Sequence, residues 1–254
     1  MSLYGLIIGI CLALTSRFFS KNNSTLPKNQ EGIFFFFLYL STLVGARAYH
    51  IFDNWSFYSQ NLDQVTNTKA GGLGIFGALI GGTVYIFIHS LIAKISFVDL
   101  VDSIIPIVPL CQAIGRWGNF LNTEGFGLPT YSQFGQAVPL NFRPTQYQIY
   151  SHFHPVWLYE SILCFLLFLF LRKKIYHQIS FYLIGYGSIR FFTEFFRFDT
   201  WTIGNIKVAQ VISLVFILIG LSIILFDKIS SNQKEALSVC DPTGNRTPVA
   251  RMKT

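Results

Sequence analysis

The chain has 254 residues, of which 52% are of the apolar types AVILMFWYC and only 12% are Asp, Glu, Lys or Arg. Soluble globular domains carry about twice this charged share, so the composition indicates an integral membrane protein. The formal net charge is +7, but the basic residues form no continuous stripe of the kind that binds nucleic acid. We therefore expect the lipid bilayer, and no nucleic acid, as a partner. The 4 cysteines form no CxxC or Cys/His ligand spacing, which argues against a disulfide framework and a metal site.

Seven hydrophobic segments follow in chain order, and each approaches the roughly 20 residues that cross about 30 Å of hydrocarbon. They lie at roughly residues 3–19, 32–52, 72–92, 98–121, 155–171, 179–196 and 206–226. The first lacks the basic start and the small-residue cleavage site of a signal peptide, so we expect it to be retained. The sequence thus predicts an all-α integral membrane protein with about seven transmembrane helices.

The positions of Lys and Arg give the expected orientation. They concentrate in the first, third and fifth connections and after the last segment, and basic residues favour the cytoplasmic side. We therefore expect the N-terminus outside and the C-terminus in the cytoplasm. Residues 1–228 would form a single transmembrane domain whose longest external connection, about residues 122–154, forms a small headpiece. Residues 229–254 are polar without an apolar period, so they are assigned no structure.

The fourth segment is interrupted and ends in a polar motif. Pro106 and Pro109 break its helical hydrogen bonding, and broken helices in membranes are tolerated where they line a protein cavity. The motif from Gly115 to Gly127 follows. Its Arg116 and Asn119, three residues apart, would lie near one helix face. Charged groups at such a position are costly unless they have partners or a cavity, so this pattern predicts an anion-binding site.

The sixth segment carries a second polar pattern. Tyr186, Arg190, Glu194 and Arg197 follow one another at intervals of 4, 4 and 3 residues, which predicts one polar stripe on a helix. A purely structural interpretation is an ion pair between Arg190 and Glu194, with Arg197 extending towards the interface. Placed beside Arg116, the stripe would instead concentrate positive charge suited to bidentate phosphate binding.

The fifth segment opens with His154-Pro155 and carries Glu160 six residues after the histidine. His154 is either a base or a hydrogen-bonded anchor, and a lone histidine at a membrane edge is more often the latter. Glu160 needs a partner inside the membrane interface, and an arginine is the natural one. Asp102, near the start of the fourth segment, either pairs with an arginine or caps a broken helix. The glycines between residues 71 and 82 favour close helix packing.

With these residues in place, the chain resembles the prolipoprotein diacylglyceryl transferase family of the bacterial cytoplasmic membrane. Gly115 to Gly127 fits that family's signature, G-R-x-G-N-F-x-N-x-E-x-x-G, at every fixed position. The resemblance also includes Tyr4-Gly5, the HP and LYE pieces that end at Glu160, and Tyr186 to Arg197, and it covers about residues 1–226 in the family's order. It implies a seven-helix architecture with the N-terminus outside.

The resemblance implies a transfer reaction at the membrane. The sn-1,2-diacylglyceryl group of phosphatidylglycerol would pass to the lipobox cysteine thiol in the signal peptide of a preprolipoprotein, forming a thioether and releasing glycerol 1-phosphate. This is the first step of bacterial lipoprotein maturation. The leaving phosphate must be stabilised, which arginines do, and the thiol must lose its proton to be a good nucleophile. No metal or redox cofactor is required.

The resemblance also implies roles for individual residues. Arg116 and Asn119 would bind the phosphatidylglycerol headgroup, and Arg190 would contact the phosphate and stabilise the leaving group. The residues implied to bind the lipid are Arg116, Asn119, Glu124, Gly127 and Tyr4. The residues implied to act in catalysis are Arg190, with Tyr186 and Glu194 orienting it, and His154.

Two positions depart from the family pattern. Phe76 stands where many members have a histidine in the third segment, and Trp157 stands where the family usually has glutamine. Phenylalanine cannot accept a proton, so three explanations stay open: another base such as His154, Glu160 or Tyr186, a reaction in which proton removal is not limiting, or an impaired copy. The last would be a lipid-binding paralogue without catalysis. A small transporter for an anionic solute would predict internal repeats, which the sequence lacks.

Overall fold

A computed structural model describes residues 3–22, 25–67, 72–173 and 177–239, and these residues are mainly helical. The helices are α1 Leu3–Asn22, α2 Lys28–Asp53, α3 Trp55–Tyr58, α4 Ile75–Ala93, α5 Phe97–Ile104, α6 Val108–Leu121, α7 Val156–Leu171, α8 Gln178–Thr193 and α9 Val208–Val239. Two short antiparallel pairs accompany them: β1 Gln136–Ala137 with β2 His152–Phe153, and β3 Thr202–Ile203 with β4 Ile206–Lys207. Each predicted hydrophobic segment contains a helix.

Several of these helices have the length and composition of membrane spans. Within the described residues, four helical stretches are long and apolar enough to cross a membrane: Lys28–Asp53, Ile75–Ala93, Phe97–Leu121 and Val208–Ile229. Helix α7 is a shorter apolar helix. Large apolar side chains such as Phe36, Leu79 and Leu218 remain exposed on these stretches, which a water-soluble surface avoids. The all-α membrane class predicted from the composition agrees with this structure.

The predicted interruption of the fourth segment is confirmed. Helix α5 ends at Ile104, a 3₁₀ turn covers Ile105–Ile107, and α6 begins at Val108. Pro106 lies in the turn and Pro109 in the first turn of α6, where a missing N–H costs no helical hydrogen bond. The two prolines therefore divide the segment, and the polar motif starts near the end of its second half.

Helices α2 and α4 pack through their glycines, as the spacing predicted. A Cβ atom added to Gly45 or to Gly77 would overlap the backbone carbonyl of the other residue. A Cβ on Gly81 would overlap the carbonyl of Ser41, whose hydroxyl donates to the Gly81 carbonyl at 2.8 Å. Only residues without a side chain allow this approach. Gly71, the first of the run, lies outside the described residues.

Two charged residues on the spans have structural contacts. Arg47 on α2 is buried and donates hydrogen bonds to the carbonyl groups of Gln64, Val65, Asn67 and Gly72. It thereby holds the connection that leads to α4. Asp102 on α5 accepts a hydrogen bond from the backbone N–H of Ile179 at 2.8 Å. Asp102 therefore caps α8, whereas the sequence predicted either a pair with an arginine or a cap on the broken helix.

Two clusters of buried side chains form the core. Phe19, Phe34, Phe35, Leu38 and Leu100 join α1, α2 and α5. Ala113, Cys164 and Ile189 join α6, α7 and α8, with Leu167 and Tyr186 packed against them. The hydroxyl of Ser161 donates to the Ala113 carbonyl at 2.9 Å. The second cluster holds together the three helices that carry the polar motifs.

The connection from residue 122 to residue 154 is built from short turns and the β1–β2 pair. Val138 and Phe153 are buried within it, and Arg143 donates to the carbonyl groups of Val138 and Gln148 at 2.8 and 3.0 Å. The C-terminal tail differs from its expectation in part. Helix α9 continues to Val239, so the tail assigned no structure from residue 229 begins as helix, and residues 240–254 lie outside the described part.

Candidate active site

The centre of the candidate site is the carboxylate of Glu160 on α7. Its side chain is 1% exposed and forms ion pairs with three arginines. Arg116 approaches Oε2, while Arg190 and Arg197 approach Oε1 at 2.6 and 3.4 Å. The hydroxyl of Thr193 also donates to Oε1, at 3.2 Å. The expectation that Glu160 has an arginine partner is therefore confirmed, and it has three.

These arginines come from three parts of the chain. Arg116 lies on α6, Arg190 lies on α8, and Arg197 follows the 3₁₀ turn Glu194–Phe196 at the end of α8. The predicted continuous stripe is wrong at its last member, because Arg197 has an extended backbone, with φ −92° and ψ 138°. Its side chain reaches Glu160 from beyond the helix and does not simply extend towards the interface.

The charges in this cluster do not cancel. Arg190 also forms the expected ion pair with Glu194, at 3.2 Å. Three guanidinium groups thus meet two buried carboxylates, which leaves one positive charge in excess. The side chains of Arg116, Arg190 and Arg197 are 22%, 20% and 21% exposed, so each retains donors that the carboxylates do not cover. Guanidinium groups in general suit bidentate hydrogen bonding to a phosphate.

The end of the α6 motif folds back beside this cluster. Asn119 accepts a hydrogen bond from Arg116 at 3.5 Å, and its carbonyl accepts one from the Glu124 N–H at 2.7 Å. Gly125 has φ +72°, a left-handed conformation that favours glycine. Gly127 donates to the His154 carbonyl at 2.8 Å, and a Cβ there would overlap a carbonyl of the 3₁₀ turn after α8. The close approach at Gly127 therefore brings the loop after α6, the start of α7 and the 3₁₀ turn after α8 into contact.

His154 lies between this loop and the start of α7. Its Nδ1 is 3.2 Å from the hydroxyl of Tyr159, and its ring packs against Phe196 with centroids 5.2 Å apart. In the tautomer in which Nδ1–H donates to the phenol oxygen, Nε2 carries the lone pair. The ring therefore has a defined orientation, and its partner Tyr159 immediately precedes Glu160 in the chain.

The three other residues predicted for the site are Tyr186, Glu124 and Tyr4. Tyr186 stacks on Tyr182 with parallel rings 5.6 Å apart, one helical turn before Arg190. The Glu124 side chain is exposed, so only its backbone joins the motif. Tyr4 belongs to α1, but its side chain lies outside the described part of the chain.

The two departures from the family pattern have different surroundings. Phe76 lies on the first turn of α4, is 57% exposed and packs against Tyr49. Trp157 is buried, and its indole N–H donates to the side-chain oxygen of Gln136 at 2.7 Å. The Trp157 ring also packs against Trp117 and Phe120, with centroids 5.1 and 4.7 Å apart. Trp157 therefore ties β1 to α6 and α7.

Two residues near the cluster are not predicted from the sequence. Thr193 donates to Glu160, and Lys207 donates to the carbonyl groups of Glu194 and Arg197. Thr193 follows no polar spacing, and Lys207 resembles any basic residue at the end of a connection. The sequence indicates such residues only through Glu160, because a buried carboxylate requires several hydrogen-bond donors.

The structure thus defines a helical membrane protein with a buried cluster of arginines and carboxylates between α6, α7 and α8. The sequence profile of the family described as prolipoprotein diacylglyceryl transferase matches residues 1–226. The chain belongs to this family.

Individual relatives agree with the family match. The chain is similar to a protein of Thermosynechococcus vestitus, 35% identical over 228 residues and covering 85% of both chains. It is also similar to a protein of Acaryochloris marina, 39% identical over 192 residues, 72% of this chain and 70% of the relative. A protein of Clostridium novyi is 38% identical over 196 residues, 75% of this chain and 76% of the relative. Each relative is named phosphatidylglycerol–prolipoprotein diacylglyceryl transferase.

Proposed function

We propose that this chain transfers the diacylglyceryl group of phosphatidylglycerol to the cysteine thiol of a preprolipoprotein signal peptide. The observation that carries the proposal is the cluster of three arginines around Glu160, with its one positive charge in excess. Phosphatidylglycerol offers one phosphate diester, which such a cluster binds through charge-assisted hydrogen bonds. The names of the relatives support the same pair of substrates.

The reaction exchanges one carbon–oxygen bond for one carbon–sulfur bond. The thiolate attacks the glyceryl carbon that bears the phosphate ester, the bond from that carbon to oxygen breaks, and glycerol 1-phosphate leaves with the electron pair. Arg116 and Asn119 hold the headgroup, and Arg190 stabilises the charge of the departing phosphate. Donors arranged in advance around a leaving anion lower the barrier because they need not reorganise during the reaction.

Glu194 orients both Arg190 and the lipid headgroup. Its Oε2 binds Arg190 at 3.2 Å, whereas its Oε1 is buried without a hydrogen-bond partner among the described residues. A buried acceptor of this kind costs free energy until it is satisfied. A hydroxyl group of the headgroup glycerol supplies the missing donor. Tyr186 packs beside Arg190, and the backbones of Glu124 and Gly127 shape the mouth of the site.

His154 is the proposed acceptor of the thiol proton. Glu160 is engaged by three guanidinium groups, so it is not free to act as a base, and a neutral phenol such as Tyr186 is a poor one. The contact with Tyr159 fixes the His154 ring and leaves Nε2 able to accept the proton. The exposed Phe76 of α4 then has no part in proton transfer.

The remaining features of the architecture belong to the same proposal. Seven membrane-spanning helices, with the N-terminus outside and the C-terminus in the cytoplasm, would place the cluster near the outer leaflet of the bacterial cytoplasmic membrane. Residues 1–228 form one domain, and the connection 122–154 covers the site from outside. The lipid-binding role of Tyr4 on α1 stays a prediction from the sequence. No cofactor is needed, because the arginines stabilise the leaving group.

The direct test is transfer assayed in membranes from cells that express this chain. Phosphatidylglycerol and a lipobox peptide are supplied, and the release of glycerol phosphate is followed. We expect release of glycerol phosphate that depends on the peptide cysteine. This release should fall strongly in Arg116→Lys, because the lysine ammonium is a point charge and cannot donate two parallel hydrogen bonds as a guanidinium group does. The exposed Arg172→Lys at the end of α7 is the matched control and keeps full activity.

Two outcomes would contradict parts of the proposal. Near-normal turnover of Arg116→Lys would remove the phosphate role of Arg116, and an unchanged rate in His154→Ala would remove His154 as the base. Absence of release from folded, lipid-bound protein would instead favour a lipid-binding paralogue, with Phe76 marking the lost activity.

A further inference from the structure

Lys207 connects the β3–β4 hairpin to the end of helix α8. It is the last residue of β4 and directly precedes α9. Its Nζ donates to the carbonyl oxygen of Glu194 at 2.6 Å and to that of Arg197 at 2.7 Å. These carbonyl groups lie at the two sides of the 3₁₀ turn Glu194–Phe196. One ammonium group therefore closes the turn at both ends.

The chemistry of a helix end explains why a lysine is effective here. The last carbonyl groups of a helix lack partners within the helix, and a cation near them is favourable. An ammonium group has three donors, so Lys207 satisfies two carbonyls and keeps a donor. This arrangement fixes the direction in which the chain leaves α8.

That direction determines where Arg197 points. Arg197 is the first extended residue after the turn, and its contact with Glu160, at 3.4 Å, is longer than that of Arg190 at 2.6 Å. The longer contact between Arg197 and Glu160 is too weak to fix the backbone of Arg197 by itself. A second bond, from the Leu128 N–H to the Phe196 carbonyl at 2.7 Å, attaches the α6 motif loop to the same turn. Displacement of the turn would therefore move Arg197 and the loop together.

We propose that Lys207 is a positioning residue that sets Arg197 in the phosphate-binding cluster. It acts through the backbone of the turn and does not itself contact the lipid. The inference rests on the proposed function, since it assigns Arg197 to phosphatidylglycerol binding. It adds Arg197 as a lipid-binding residue, and it makes the hairpin a part of the site.

The test compares Lys207→Met, which keeps the length of the side chain but removes its donors, with Lys207→Arg, which keeps them. We expect Lys207→Met to raise the KM for phosphatidylglycerol about tenfold, the size expected when a hydrogen bond to a charged group is loosened. The kcat should change little, because ground-state and transition-state binding of the lipid are weakened alike. Lys207→Arg should restore the KM. The exposed Lys173→Met is the matched control.

A double variant separates positioning from simple stabilisation. If Lys207 acts through Arg197, then Lys207→Met should raise the KM no further once Arg197→Gln is present. Additive effects would overturn the proposal, as would a fall in kcat at unchanged KM, which indicates only less folded enzyme. If Lys207→Met does not fold, Lys207→Gln, which keeps a neutral donor, takes its place in the same comparison.

Failure of the proposed function would give a different result. Wild-type protein without cysteine-dependent release would contradict the transferase, but binding to nanodiscs of phosphatidylglycerol in phosphatidylcholine still measures the effect of Lys207. Weaker binding by Lys207→Met than by Lys207→Arg supports the positioning role, and equal binding overturns it.

Discussion

Replacement of Glu160 by glutamine is the sharpest test of the cluster. The substitution keeps the volume of the side chain but removes the charge that faces Arg116, Arg190 and Arg197. The excess of positive charge in the cluster then rises from one to two. Because Glu160 is only 1% exposed, water cannot replace the lost carboxylate.

The expected magnitude follows from the burial of the partners. Removing one member of a fully buried ion pair costs about 3–5 kcal/mol. The arginines here are 20–22% exposed, and solvent screens exposed charges, so the lower end, about 3 kcal/mol, applies. For a chain of this size, about 3 kcal/mol corresponds to a fall in melting temperature of roughly 6–12 °C.

Thermal unfolding in detergent measures this effect, with Glu124→Gln as the control because the same change is made at an exposed side chain. The control should melt with the wild type. Added phosphatidylglycerol should raise the melting temperature of Glu160→Gln more than that of the wild type, because its cluster has the larger charge excess. A Glu160→Gln protein that melts with the control would refute the reasoning that Glu160 holds the arginines.

Three further changes test other parts of the structure. Asp102→Ala removes the cap of α8 and should lower the free energy of unfolding by about 1 kcal/mol. Asp99→Ala, at an exposed side chain, is the control and should not change it measurably. Gly77→Ala forces α2 and α4 apart and should lower the free energy of unfolding by about 1–3 kcal/mol. The control is Gly9→Ala, which has open space around its Cβ and should not be destabilised. Equal melting temperatures of the two variants would contradict the close packing of α2 and α4. Phe76→His should raise the transfer rate far less than the roughly 100-fold that a general base supplies, and a gain of that size would show that the chain lacks a base.

Features that depend on residues close together in the chain were predicted correctly from the sequence. Apolar length identified each helix-bearing segment, and Pro106 and Pro109 marked the interruption between α5 and α6. The glycine spacing between residues 71 and 82 predicted close helix packing, and Gly77 makes such a contact with Gly45. Each of these features follows from local length, backbone chemistry or side-chain size, so no knowledge of the tertiary arrangement was required.

Contacts between segments far apart in the chain could be predicted from the sequence much less well. Glu160 predicted an arginine partner, but not that Arg116, Arg190 and Arg197 would converge on it from three elements. The helical period failed at Arg197, because the 3₁₀ turn after α8 takes the chain out of the helix. Asp102 was expected to pair with an arginine or to cap the broken helix, yet it caps α8. The partners of Glu160 and of Asp102 lie far away in the chain, and periodicity carries no information about them.

The balance of charge in the cluster explains why carboxylates belong in the proposed phosphate-binding site. Three arginines without Glu160 and Glu194 would repel one another and would have no fixed orientation. A cluster neutralised completely would have little affinity for a phosphate ester. Two buried carboxylates against three guanidinium groups satisfy both requirements, because they orient the donors and leave one charge for the ligand. In the proposed reaction, stabilisation of the leaving phosphate depends on this arrangement and not on the residue at position 76. Under that proposal, a phenylalanine at position 76, where many family members have a histidine, leaves the main electrostatic contribution to catalysis in place.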